Sequence, residues 1–196
     1  MNKIILGVGH KDEQELHKVK SRIDIYCPSE AGIELPEDYL EKEDVSYTTF
    51  FFSDIASYLK DKGAKVIPLE DSAIIDYHYA IEVAKSVWEG KIPRKQVEAE
   101  EAEVRNTKIT PYMSPEMVKD IEFLASRYKN ILDILKSTQG LEDVMELWKG
   151  SNKKREAYVL EKIRRYMPDM VIIGDGHAKV LKESLPEYGY ERSYEL

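Results

Sequence analysis

Lys3-Ile-Ile-Leu-Gly-Val-Gly-His10 and Met170-Val-Ile-Ile-Gly-Asp-Gly-His177 repeat one pattern near opposite ends of the chain. Each is a short apolar run closed by Gly-x-Gly-His. Apolar residues on consecutive positions suit a strand buried on both faces, as in a parallel sheet under helices. Ala31–Leu35, set off by Pro28 and Pro36, and Lys65–Leu69 read as two more such strands. Between the strands the period changes to that of a helix. Asp12 and Glu13 open a segment in which Leu16, Val19 and Ile23 keep helical spacing, and Pro36-Glu-Asp suits a first helical turn. Phe51, Ile55, Tyr58 and Leu59 form a stripe that stops at Gly63, and Ile74, Tyr77, His78, Ile81, Ala84 and Trp88 line another helical face.

The rhythm breaks after that. Pro93 and the acids Glu98, Glu100, Glu101 and Glu103 mark a solvated helix or loop over about Lys91–Thr110. Ser114 caps a long amphipathic helix (Met117, Ile121, Leu124, Tyr128, Ile131, Leu135) that stops at Gly140. Leu141–Trp148 reads as a shorter helix ending at Gly150, and Lys153–Tyr166 as another. Met170–Ile173 is the fourth strand, a final helix reaches Leu185, and Tyr188–Leu196 suits an edge strand. The expected architecture is one α/β domain over residues 1–196. Its mostly parallel β-sheet is flanked by helices, with a helical insertion in the middle of the chain at about 91–150.

Lys plus Arg number 29 against 37 Asp plus Glu, a net charge of -8, which disfavours nucleic acid and anionic membrane as partners. Cys27 is the only cysteine, so an intramolecular disulfide is excluded and a cysteine zinc site is disfavoured. The apolar run at the start is too short for a signal peptide, and no stretch is long enough to cross a membrane. The expectation is a cytoplasmic protein, and an exposed sheet edge leaves a homodimer open.

Functional side chains in open α/β sheets gather beyond the carboxyl ends of the strands. His10 and His177 sit there, each just past a Gly-x-Gly turn. Glu34 in Gly-Ile-Glu-Leu-Pro and Glu70 in Pro-Leu-Glu-Asp stand at the ends of the second and third strands, where a buried charge needs a partner. The four could partner one another or bind a divalent metal. Arg155 lies in phase with Val159 and Ile163 and suits a carboxylate or an oxyanion. Each also has a structural reading: a histidine capping a helix, a glutamate at a strand exit, an arginine snorkelling from a helix end. Gly7 and Gly174, at helix starts, are candidates for holding a phosphate. Asp12 stands where a dinucleotide fingerprint needs a third glycine. His78 fits a satisfied core position, and His17 an exposed one.

In chain order, Gly-Val-Gly-His at 7–10, Ile-Glu-Leu at 33–35, Leu-Glu at 69–70, Arg155 opening a helix and Gly-Asp-Gly-His at 174–177 resemble the TraB/PrgY/Tiki (GumN-like) family. That family belongs with the erythromycin esterases and the ChaN haem-binding proteins. The resemblance implies an α/β fold and a site of His10, Glu34, Glu70, Arg155 and His177. Tiki members are described as manganese- or cobalt-dependent proteases, TraB and PrgY members act against peptide pheromones, and the esterase branch uses a histidine base without metal. This chain differs in having Asp71 after Leu-Glu, Asp175 inside the second motif, and Ala178-Lys179-Val180 after it.

The expected function is a hydrolase acting on a peptide or amide bond, with a divalent metal (Mn, Co or Zn) held by His10, His177 and Glu70. Glu34 would be the general base and Arg155 would hold the substrate carboxylate or oxyanion. In a metal-free version His10 is the base. Two other classes use the same cleft: a protein that binds a peptide or small molecule without turnover, and a nucleotide binder using Gly7 and Gly174.

Overall fold

The computed structural model describes residues 3–9, 13–37 and 47–195; His10 and Asp12 lie outside them. Five strands, β1 (Lys3–Val8), β2 (Glu30–Pro36), β3 (Lys65–Glu70), β4 (Met170–Gly174) and β5 (Tyr188–Arg192), form one sheet in the order β3-β2-β4-β1-β5. Every pairing is parallel, so all carboxyl ends reach the same edge. The two Gly-x-Gly-His strands are neighbours, with Gly7 beside Ile173 and Val8 beside Gly174.

Alternation along each strand feeds two cores. Ile4, Leu6, Val8, Ala31, Ile33, Leu35, Met170 and Ile172 face one way, toward Val19 and Ile23 of α1 (Glu13–Tyr26) and Ile55 and Leu59 of α2 (Tyr47–Asp61). Ile5, Ile67, Leu69, Val171 and Ile173 face the other way, toward Val159, Ile163, Ala178, Leu181 and Leu185. Covering both faces is why the strands carry unbroken apolar runs. Asp169 fixes β2 against β4 at the amino end: its Oδ2 accepts Ser29 N at 2.9 Å, Ser29 Oγ at 2.6 Å and Glu30 N at 3.2 Å. These hydrogen bonds hold its carboxyl below the usual range, against the effect of burial.

The chain forms two compact units. One joins the segment up to Ser72 with that from Lys154 onward and contains the sheet; the other is Ala73–Lys153. The helical unit therefore starts earlier than the 91–150 read from the sequence. The reason is α3 (Ser72–Trp88), whose Ala80, Ile81 and Ala84 pack with Val97 of α4 (Arg94–Asn106), with Ile131, Ile134 and Leu135 of α5 (Pro115–Ser137) and with Val144. The segment expected as a solvated helix or loop is thus the helix α4, anchored by one buried valine. Ser114 caps α5 as expected, accepting the Met117 N–H at 3.2 Å. Half-buried His78 faces Ser151 Oγ at 3.2 Å, in keeping with a satisfied position.

Two helices were expected where there is one. α6 runs unbroken from Leu141 to Tyr166, and α7 follows over Asp175–Ser184. Gly150 does not end α6. An interior glycine weakens a helix without forcing it to stop, and the residues after it are good helix formers. Arg155 therefore lies inside a long helix rather than opening one. The helical turn expected at Pro36-Glu-Asp falls at the border of the described residues, with Pro36 closing β2. Among the described residues no helix is long and apolar enough to cross a membrane.

Candidate functional site

Ile33 and Leu35 face α1 and α2, so the pleat turns Glu34 to the α6–α7 side of the sheet. There Arg155 of α6 meets it, with Nη2 donating to Glu34 Oε1 at 2.5 Å. Glu34 Oε2 accepts the Gly174 N–H at the start of α7. Glu70 ends β3, and its Oε1 accepts Arg155 Nε at 2.7 Å. The third arm of the guanidinium, Nη1, lies 3.1 Å from His177 Nε2. His177 Nδ1 lies 3.4 Å from Glu156 Oε1. The fold thus brings together four of the five expected residues, around Arg155; His10 is outside the described residues.

Both glutamates are buried, Glu34 at 8% exposure and Glu70 at 4%, so neither is an ordinary surface acid at a strand exit. One guanidinium serves two carboxyls, and burial penalises the unbalanced negative charge. The retained proton belongs on Glu70: both Glu34 oxygens accept an N–H, whereas buried Glu70 Oε2 has no hydrogen-bond partner among the described residues. Burial, with the Glu34 charge adding to it, outweighs the attraction of Arg155 and raises the Glu70 pKa to about 8. Arg155 itself loses solvation, but the charges of Glu34 and Glu70 outweigh that loss and raise its pKa. A guanidinium only donates, so His177 Nε2 accepts and the ring proton sits on Nδ1, facing Glu156.

The described members of the expected metal set, Glu70 and His177, are arranged around a guanidinium rather than an ion. Ligand atoms must converge on the ion at about 2.0–2.6 Å. Here the Glu70 and His177 atoms converge on a guanidinium that already supplies the positive charge. Among the described residues, no group of three or more His, Cys, Asp or Glu is arranged to hold an ion. Glu34, expected as the general base, has both oxygens engaged and is better placed to hold Arg155.

Gly7 has a packing role. A Cβ on Gly7 would stand 2.9 Å from Asp175 Oδ1 and 3.3 Å from its Cα, so the glycine lets α7 approach β1. The anion at the start of α7 is Glu34 itself. Asp175 accepts from Tyr190 OH, from Tyr194 OH at 2.8 Å and from Lys179 Nζ at 2.6 Å. Burial would raise its pKa, but these bonds, Lys179 foremost, hold it at about 2. The extra acid of the second motif thus ties the last strand to α7.

No family model, curated protein or solved structure matches the chain.

Some residues of the site were not singled out in the sequence. Buried Glu15 accepts the Gly9 N–H at 2.5 Å and the Ser193 hydroxyl, holding the first Gly-x-Gly turn as Glu34 holds the second. Beside Glu70 a cleft of 490 Å³ is lined by Glu37, Asp71, Ser72, Tyr158 and Lys162. Tyr158 and Lys162 follow Arg155 at +3 and +7, so the helical stripe that pointed to Arg155 continues into the cleft wall.

Proposed function

We propose that the chain is a metal-free hydrolase of a peptide or amide bond, a member in function of the TraB/PrgY/Tiki-like group that its motifs resemble. The observation that carries this reading is the buried Glu70 carboxyl. One oxygen is fixed by Arg155, the other has no partner among the described residues, and the group lines a cleft at the carboxyl end of the sheet.

Arg155 has five N–H donors, three of them engaged with Glu70, Glu34 and His177 among the described residues. The other two suit an oxyanion. Water adds to the carbonyl carbon while its proton passes to a base, the role proposed for His10. The carbonyl oxygen becomes the oxyanion beside Arg155. As the tetrahedral centre collapses, the C–N bond breaks and Glu70 Oε2 gives its proton to the departing nitrogen. The proton on the base then restores Glu70. A buried carboxyl that keeps its proton at neutral pH is suited to this step. Glu34 and His177 are positioning residues that set the angle of Arg155.

The test is cleavage of a defined peptide library by purified protein, in a strong chelator and with added Mn²⁺, Co²⁺ or Zn²⁺. Cleavage should persist in the chelator and fall by about 10²–10⁴-fold in Glu70→Gln and in His10→Ala. Cleavage only with added metal, or an undiminished Glu70→Gln rate, contradicts the reading. A second reading is a protein that binds a peptide or small molecule without turnover. It is supported by the extent to which Arg155 and Glu34 are already satisfied internally. Its signature is a peptide retained uncut in every condition.

A further inference from the structure

We infer that the cleft beside Glu70 receives a primary ammonium group, so that the substrate carries a free amine next to the bond under attack, as at the amino terminus of a peptide. This inference rests on the hydrolase reading and adds the substrate class.

The argument starts from register. Pro36 of β2 is paired with Glu70 of β3, and Glu37 and Asp71 directly follow these two strand ends. Both line the cleft. Ser72 and Tyr158 add a hydroxyl and a phenol, so the walls are rich in hydrogen-bond acceptors. Among the described residues Lys162 is the one basic lining residue, and its ammonium stands over the Tyr158 and Tyr166 rings at 5.4 and 5.8 Å. A phosphate or carboxylate ligand would meet two acids there; an ammonium group would meet complementary charge.

A second observation points to a ligand independently of those acids. Glu70 is 4% exposed, lines the same cleft, and has a buried oxygen without a partner among the described residues. Glu70 and Asp71 are consecutive, with Cα atoms about 3.8 Å apart. In a peptide the α-amino nitrogen is one carbon from the first carbonyl. An amine held by Glu37 and Asp71 therefore brings that first peptide bond, rather than an internal one, to Glu70 and Arg155.

The experiment measures binding by calorimetry with leucinamide and N-acetyl-leucinamide, and cleavage with one peptide bearing a free or an acetylated amino terminus. Leucinamide should bind wild-type protein at least about tenfold more tightly than its acetylated form, and the double variant Glu37→Gln/Asp71→Asn should lose about tenfold of that affinity. Exposed Glu37 supplies a single variant, Glu37→Gln, which should show a partial loss should the double variant not fold. Equal binding of the two probes, no binding of either, or unchanged affinity in the folded variants overturns the inference. The two readings fail separately. Amine-selective binding with no cleavage of any peptide sinks the hydrolase and leaves the ammonium site. Equal cleavage of free and blocked peptides sinks the ammonium site and leaves the hydrolase.

Discussion

At the scale of single residues the site is an imbalance: one guanidinium against two buried carboxyls, with a protonated Glu70 restoring neutrality. Removing Arg155 would leave Glu34 and Glu70 buried without their cation, and breaking a buried pair costs about 3–5 kcal/mol. Arg155→Met should lose that much in chemical denaturation. Arg155→Lys keeps the charge but not the three-way fork and should lose less stability while abolishing cleavage. A Lys variant as active as wild type would show that the fork has no catalytic task.

At the scale of elements, the glycines divide by what surrounds them. Gly150 lies inside α6, and a methyl group added there would meet nothing within 4 Å, so Gly150→Ala should stabilise the protein by about 0.5–1 kcal/mol through helix propensity. Gly7 is the opposite case. A methyl there meets the side chain and backbone of Asp175, and Gly7→Ala should cost about 1–3 kcal/mol as α7 is pushed from β1. Thermal or denaturant melts of the two variants check both signs. They also bear on what was legible in the sequence. The strands were legible because burial on both faces leaves unbroken apolar runs. The end of a helix at Gly150 was misread because glycine lowers helix stability without dictating where a helix ends. Glu34, Glu70, Arg155 and His177 were legible from their places at strand ends or in an inward helical stripe. Glu15, Glu37 and Glu156 were not: in a chain with 34% charged residues, one more acid carries no signal until the fold brings it to a partner.

For the whole molecule, Glu70 links stability to pH. Its folded-state pKa is raised from 4.5 to about 8, so between those values the folded protein holds a proton that the unfolded chain has released. Stability should therefore fall as pH rises through that window and level off above it. The contribution has a limiting slope of about 1.4 kcal/mol per pH unit. Glu70→Gln lacks this term, so the stability difference between wild type and variant should shift against wild type from pH 5 to pH 8 (about the window of the raised carboxyl).

The central claim is that Glu70 keeps its proton beside Arg155. The most direct measurement is a carbon-13 NMR titration of the glutamate side-chain carboxyls, with Glu70→Gln to assign the resonance. One carboxyl titrating near pH 8, and missing from the variant, is the predicted result. A Glu70 carboxyl already ionised at about pH 5, like an ordinary glutamate, would contradict it.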